Sequence, residues 1–472
     1  MMADYNVIVI GAGPAGYVAA IRCAQLGMKT ACVDNWVNAE GKPSLGGTCL
    51  NVGCIPSKAL LDSSHHYHFM QKQAAQHGIQ CEGLTINIAA MQARKDKIVK
   101  TLTQGIVGLF KKNQITFIHG QGRLVSSNEV EIIVPQVNAQ IISADYIIIA
   151  TGSVPTTLPM IPLDHQFIVD STGALAFNTV PPRLGIIGAG AIGLELGSVW
   201  SRLGSQVTIL EALPEFLAAA DRKIAAAALK EIKKQGLNIQ LHTQVTSTSV
   251  TNNEVALTYQ DNQGQKQLFV DKLIVAVGRK PNTEGLNTKA VGIKMDERGF
   301  IQVDQSRQTD IPGIYAIGDV IGGPMLAHKG SEEGIMVAER LAGQKSEMSY
   351  ETVPWVVYTA PEIAWVGQTE EQLKAVGIEY KLGQFPFAAS GRAKAQGDTT
   401  GMVRILANAH TDQILGVHIF GNTASELITE AVVAIEFEAS AEDLARTIHA
   451  HPTLSEAIHE AALGVDERMI HA

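Results

Sequence analysis

The chain has 472 residues, 46% of them apolar and 44 of them glycine, which is core material for about three domains of an α/β protein. A formal net charge of −9 speaks against a nucleic-acid binder, whose phosphate contacts need a basic surface, and no run reaches the about eighteen apolar residues of a membrane span. Five cysteines, an odd and small number, fit a reducing compartment: the cytoplasm, or an organelle reached by a processed chain.

The first predicted strand, Tyr5-Asn6-Val7-Ile8-Val9-Ile10, starts almost at once, so no signal peptide is expected ahead of it. It runs into Gly11, Gly13 and Gly16 in a G-x-G-x-x-G, then an Ala-rich helix and a second strand ending at Asp34. Strand, glycine fingerprint, helix and terminal acid in that order predict a dinucleotide-binding fold. The first glycine makes the tight turn, the second lets backbone approach a pyrophosphate, and the third lets helix and strand pack closely. Helix N-terminal amides then hold the phosphates, and the acid accepts from ribose hydroxyls.

Next comes GGTCLNVGCIPSK, with Cys49 and Cys54 five positions apart. On an ideal helix such residues have Cα atoms about 8 to 9 Å apart, beyond the reach of a disulfide. Pairing of these thiols therefore requires a distorted backbone, which Gly53 and Pro56 could permit. A small strained loop of this kind is expected to be redox-labile. The other reading, two buried thiols or half a zinc site, lacks a second ligand pair, because Cys23, Cys32 and Cys81 are scattered.

The buried-strand pattern IIIATGSVP then ends in Thr151, Gly152 and Ser153. A second copy of the first unit follows in RLGIIGAGAIGLELGSVWSRLGSQVTILE, with Gly188, Gly190, Gly193 and the acid Glu211. The acid stands 23 residues after the first glycine in both copies. Two copies predict two dinucleotides, and Glu211 would repel the extra phosphate of NADP, so the second is read as an NAD site. Either acid, taken alone, could be a solvated carboxylate at a strand end. LIVAVGRKPN, with Gly278 and Arg279, resembles IIIATGSVP in placing a strand that returns to its own sheet. In GIYAIGDV, Asp319 ends another apolar strand, suiting flavin ribityl or phosphate contacts or, alternatively, a helix N-cap. That strand predicts a flavin domain that resumes after the NAD domain.

From Glu351 the pattern changes: WVVYTAPEIAWVG, GMVRILAN and ILGVHIFG read as antiparallel strands, and ELITEAVVAIEFEAS and TLSEAIHEAALGV as helices. This predicts a C-terminal α+β domain after two Rossmann-like domains. It closes in HAHPTLSEAIHEAA, where His451 within reach of Glu456 would make a general base. On local grounds His449, His451 and His459 would more often be surface or capping residues.

GGTCLNVGCIPSKALL and HAHPTLSEAIHEA resemble motifs of the flavoprotein disulfide reductases almost letter for letter, within them most closely the members that reoxidise dihydrolipoyl groups. The resemblance covers essentially the whole chain. It implies an FAD domain over 1–150 and 282–350, an NAD domain over 151–281 and an interface domain over 351–472, working as a homodimer. Cys49 would be the interchange thiol that meets substrate, and Cys54 the thiol against the flavin. Lys58 would sit near the flavin and pair with Glu195. His451, oriented by Glu456 and followed by a cis bond to Pro452, would serve the disulfide of the other subunit. FAD contacts would include Gly122, Thr151, Gly152, Ser153, Asp319, Met325, Leu326, Ala327 and His328, besides the first fingerprint. NAD contacts would run from Gly188 to Glu195 and include Glu211, Val245 and Gly278.

The same resemblance implies lipoyl domains and the core of a 2-oxo acid dehydrogenase complex, or the glycine-cleavage system, as partners. Asp34 departs from the commoner Glu, and the segment Asn35–Leu45 is longer than in many members. Glutathione and mercuric reductases share the cysteine motif but generally use NADPH, which Glu211 disfavours; mercuric reductase also carries C-terminal cysteines, whereas the last one here is Cys81. A subunit that keeps the fold without turnover is the reading from a different class.

Overall fold

The computed structural model describes residues 3–472. The chain forms two compact units: the first runs up to Ala59 and takes in Ala89–Thr156 and Gly278–Met348, and the second comprises Leu60–Ile88, Thr157–Val277 and Ser349–Ala472.

The first unit opens with β1 (Tyr5–Ile10), α1 (Pro14–Gln25) and β2 (Thr30–Asp34). β1 is apolar without alternation because both its faces are covered: Val7 and Val9 enter the core that contains α1, while Ile8 and Ile10 enter a second core on the other face. Then come α2 (Gly47–Val52), α3 (Cys54–Lys72) and α4 (Ile88–Lys112). Gly53 alone separates α2 from α3, at φ −132° and ψ −117°, and a Cβ on it would lie 2.9 Å from the Thr48 carbonyl oxygen. The distortion expected between the two cysteines is thus a helix break at Gly53. Pro56 takes no part in it. It lies in the first turn of α3, where a missing N–H costs no helical bond.

β3 (Thr116–His119), β4 (Gln121–Leu124), β5 (Glu129–Ile133), β6 (Gln140–Ile149) and β7 (Ser153–Pro155) follow. β3, β2, β1 and β6 lie parallel in that order, and β5 and β4 extend the sheet antiparallel from β6.

The second unit repeats the plan with β8 (Ile168–Val169), α5 (Ser171–Ala174), β9 (Arg183–Ile187), α6 (Ala191–Arg202), β10 (Gln206–Leu210), α7 (Arg222–Lys234) and β11 (Asn238–Gln240). An antiparallel meander of β12 (Gln244–Thr251), β13 (Glu254–Asp261) and β14 (Gly264–Val270) intervenes before β15 (Lys272–Val275) returns to pair with β9. Asn252 and Asn253, both at positive φ, make the two-residue turn of its first hairpin.

The chain then completes the first unit. β16 (Arg279–Pro281) pairs with β7; α8 (Thr288–Val291) follows; β17 (Ile314–Ala316) lies parallel to β6; and α9 (Ala327–Leu341) packs on α1. The α1–α9 contact is close because Gly334 has no side chain: a Cβ there would lie 2.8 Å from the Ala15 carbonyl oxygen.

The remaining chain, in the second unit, is β18 (Trp355–Val357), β19 (Glu362–Gly367), α10 (Glu370–Val376), β20 (Tyr380–Pro386), α11 (Gly391–Gln396), β21 (Met402–Asn408), β22 (Ile414–Gly421), α12 (Ala424–Glu436), α13 (Ala441–Arg446) and α14 (Glu456–Val465). The five strands form one antiparallel sheet in the order β18-β19-β22-β21-β20. α12 ends before the expected run does, since Glu438 adopts a left-handed φ of 52°. Buried Arg404 of β21 pairs with Asp221 at the start of α7 and with Glu370 at 2.7 Å, joining the nucleotide-fold part of this unit to the antiparallel sheet.

Gly53→Ala tests the helix break. Its Cβ would press on Thr48 and Cys49, so thermal or urea unfolding should show a loss of about 1–3 kcal/mol. Unchanged stability would mean that α2 and α3 can shift without cost.

Candidate active site

Two glycine loops, a pair of thiols and a His–Glu dyad are the chemistry-bearing features. In both loops the protein's own backbone demands the first and third glycines. A Cβ on Gly11 would lie 2.3 Å from Ala150 O, and one on Gly188 2.4 Å from Ala276 O; on Gly16 and Gly193 it would lie 1.8 and 2.0 Å from the carbonyl oxygens of Gly11 and Gly188. The second glycine differs. Nothing lies within 4 Å of a Cβ built on Gly190, and at Gly13 only the Gly47 Cα does, at 3.9 Å. Gly13 and Gly190 are the N-caps of α1 and α6, neither of which has a side-chain cap, so the first-turn N–H groups remain for an anion. The open space and the unspent donors fit a pyrophosphate at each loop, as two bound dinucleotides would require.

The strand-end acids do more than wait for a ribose. Asp34 accepts from Ala12 N–H at 2.5 Å and Trp36 N–H at 2.7 Å; Glu211 accepts from Ala189 N–H at 2.7 Å and Leu213 N–H at 2.8 Å. In each copy one carboxylate oxygen therefore holds the residue after the first glycine. Neither acid is the solvated carboxylate of the alternative reading. Burial pushes the Asp34 carboxyl up, against the two amides that stabilise its anion. The long segment after Asp34 is an exposed turn tied by Asn38, which accepts from the N–H groups of Glu40 and Lys42.

Around the first loop, Gly122 in β4 lies against Ile10, where a Cβ would meet Cγ2 at 2.9 Å, and Thr151 and Gly152 follow β6. Ser153 Oγ donates to Asp319 Oδ2 at 2.6 Å and accepts from Arg279 Nε at 2.7 Å. Asp319 lies in the short turn Gly318–Ile321 and caps no helix. Met325 and Leu326 lead into α9, Leu326 as its N-cap, and Ala327 and His328 open it.

Sequence reasoning passed over Lys329 and Glu333. Lys329 and Glu333 are fully buried: Lys329 Nζ donates to the carbonyls of Gly318 and Gly322 at 3.0 and 3.1 Å, and Glu333 Oε2 accepts from Gly318 N–H at 2.7 Å. Together they clamp the turn that carries Asp319. The signal was an i,i+4 Lys–Glu pair, which in sequence reads as an ordinary exposed helix pair.

Cys49 and Cys54 stand as two thiols hydrogen-bonded to each other across the Gly53 break, Cys49 half-buried and Cys54 exposed. The bond with Cys54, then burial, pushes the Cys49 thiol far above its ordinary range, while the charge of Lys58 pulls the other way. Gly46 N–H donates to Ala12 O at 2.9 Å, and a Cβ on Gly47 would lie 2.6 Å from the Gly13 Cα, so α2 starts directly on the first phosphate loop.

In the second unit Glu195, buried in α6, accepts from Tyr358 N–H at 3.2 Å. Val245 is buried in β12. Gly278 belongs to the first unit and adopts φ 110°. His451 Nδ1 donates to Glu456 Oε1 at 2.7 Å, and Thr453 N–H donates to Glu456 Oε2 at 2.9 Å. Burial raises the Glu456 carboxyl, but the Thr453 amide and His451 outweigh it, leaving it below the usual carboxylate range. The His451–Pro452 peptide is cis. Glu456 is placed by α14, which lies flush on β20 because Gly383 has no Cβ; one would sit 1.9 Å from Ala461 O. His449 makes a parallel pair with Glu430 at 2.6 Å, and His459 stacks on it at a tilt. Among the described residues no group of three or more His, Cys, Asp or Glu side chains could hold a metal ion, and no helix is long and apolar enough to cross a membrane.

Residues 5–334 match the family model of the pyridine nucleotide-disulphide oxidoreductases, and residues 353–462 match the dimerisation domain of that family. The chain belongs to this family. The dihydrolipoyl dehydrogenase of Cupriavidus necator is 52% identical over the whole of both chains, and the mitochondrial dihydrolipoyl dehydrogenase of Pisum sativum is 48% identical over 99% of this chain and 93% of that one. Among solved structures, the Cu(II) complex of a HOCl-induced flavoprotein disulfide reductase from Escherichia coli superposes with a TM-score of 0.87, at 29% identity, over 98% of this chain and 99% of that one. FAD and NAD are the dinucleotides of this family, and the matched dimerisation domain supports a homodimer.

The variant Glu211→Gln with Leu213→Arg keeps an acceptor for Ala189 N–H, removes the repelling charge and adds a phosphate partner at an exposed position. The ratio of kcat/KM for NAD to that for NADP should fall by about tenfold or more. An unchanged ratio would mean that Glu211 does not face the ribose.

Proposed function

We propose that the chain reoxidises protein-bound dihydrolipoamide to lipoamide through Cys49 and Cys54 and couples this to reduction of NAD+, with FAD as its cofactor. The observation that carries the reading is the thiol pair itself: two cysteines brought into hydrogen-bond contact across a one-residue helix break at Gly53. When bound, FAD supplies a two-electron relay between the dithiol and the nicotinamide.

The chain's own residues have these parts. With Nδ1 committed to Glu456, His451 keeps Nε2 to take the proton of a substrate thiol. The substrate thiolate attacks Sγ of Cys49 in the oxidised pair; the Cys49–Cys54 bond breaks and Cys54 leaves as a thiolate. The second substrate thiol then attacks the mixed disulfide, releasing lipoamide and leaving Cys49 protonated. Lys58 holds positive charge beside the pair. Its partner is proposed to be Glu195.

The domain reading is FAD binding over 1–150 and 282–350, NAD binding over 151–281 and the dimer interface over 351–472. His451 is proposed to serve the redox pair of the other subunit. The lipoyl domains and core of a 2-oxo acid dehydrogenase complex, or the glycine-cleavage system, are the partners that this activity calls for, and the cytoplasm is the proposed compartment.

Cys49→Ser should bind FAD and still pass electrons from NADH to an artificial acceptor, while lipoamide turnover falls at least about a thousandfold. Normal lipoamide activity in that variant would sink the assignment. For the dimer, a Cys49→Ser chain is reassorted with a His451→Ala chain. If the base acts across the interface, mixed dimers hold one intact site, and about a quarter of wild-type activity returns from an equal mixture. If the base acts in its own subunit, every site keeps a lesion. Tagged mixed dimers without activity would show that.

A further inference from the structure

Arg202 closes the last turn of α6, in the second unit. Its Nη2 is buried and meets no hydrogen-bond acceptor. Burial pulls the guanidinium down to about 10, and no neighbouring carboxylate opposes that shift. A guanidinium nitrogen that is buried without an acceptor is an unusual thing for a fold to keep, because its desolvation goes uncompensated.

The side chain borders a small cavity of about 30 Å³, together with Ser198 and Ser201 from α6, His68 from α3, and Gln235 and Leu237 from the turn after α7. The lining contains no acid. It offers the guanidinium fork, two hydroxyls and an imidazole as donors, while Gln235 Nε2 is already given to Ala360 O at 2.8 Å. Burial first, and then the charge of Arg202, hold His65 and His68 below the ordinary histidine range, so His68 meets the cavity as a neutral ring. The space exceeds the roughly 10–15 Å³ that one water needs and falls far short of the roughly 300 Å³ of an organic-ligand pocket.

We propose that this cavity binds one small inorganic anion of the halide class on the Arg202 guanidinium, with the Ser198 and Ser201 hydroxyls and His68 completing its shell. The C-terminal carbonyls of α6 disfavour an anion there, so the attraction depends on Arg202. The anion supplies the missing acceptor and ties the second half of α3 to α6. Nothing in the proposed redox reaction uses this site.

The test uses the FAD-loaded dimer, dialysed into sodium gluconate and titrated with NaCl or NaBr at constant ionic strength. The melting temperature should rise saturably by about 1–3 °C in either halide. Arg202→Met, which removes the charge and keeps much of the volume, should abolish the saturable rise. Crystals soaked in NaBr should show an anomalous peak within hydrogen-bond distance of Arg202 Nη2. A flat halide titration would overturn the proposal, as would an equal rise in Arg202→Met, a water in place of the bromide peak, or a bromide peak without any response in solution. Should Arg202→Met fail to fold, the wild-type titration and the bromide map still decide.

Discussion

A Cβ on Gly47 would fall 2.6 Å from the Gly13 Cα, so the start of α2 can lie on the first phosphate loop only because Gly47 lacks a side chain. The rest of the redox site is built outward from that contact. Gly46 N–H bonds to Ala12 O, α2 carries Cys49 away from the loop, and Gly53 breaks the helix so that Cys54 turns back to Cys49. Each step depends on a glycine used for close approach or for a backbone that other residues resist. The distance between the thiols and a bound pyrophosphate is thus set by backbone packing, which is stiffer than any side-chain arrangement.

The two dinucleotide loops solve one problem twice with the same bonds. The carboxylates of Asp34 and Glu211 hold the amides of Ala12 and Ala189, and each also anchors the residue two places on. A carboxylate already held in this way presents its remaining lone pairs to a ribose in a fixed direction, which lowers the ordering cost of binding. One methylene fewer in Asp34 is accommodated within this pattern. The turn carrying Asp319 is fixed differently, by buried Lys329 and Glu333 bonded to its backbone. Buried ions bring little net stability, so this cluster, in which Glu333 also faces Arg307 at 3.5 Å, serves to specify geometry.

The His–Glu dyad is built on the second unit, on the rigid seat formed by α14 and Gly383 of β20. The side chain of His451 remains 79% exposed, and the same domain exposes Val433, Phe437, Ile448 and Ile470. Apolar residues left open on a dimerisation domain suit a surface that a second subunit would cover. An exposed His–Glu dyad on a surface of this kind would gain a dry environment by assembly, without a pocket in its own subunit.

Local pattern by itself determined a good deal here. Continuous apolar runs identified strands buried on both faces, the equal spacing from glycine to acid identified the duplicated nucleotide fold, and the five-residue cysteine spacing required a backbone break, all because these features depend on near neighbours in the chain. Contacts between residues far apart were decided by the tertiary structure. It showed that Gly53 and not Pro56 makes the break, that Asp34 and Glu211 are committed to backbone amides, and that Lys329 and Glu333 are buried. It also placed the short-range meander of β12 to β14, whose half-polar alternation is weak in sequence. Arg202 is the plainest case: at the end of an amphipathic helix a basic residue reads as solvated, and only packing against α3 and the turn after α7 leaves its Nη2 buried and without an acceptor.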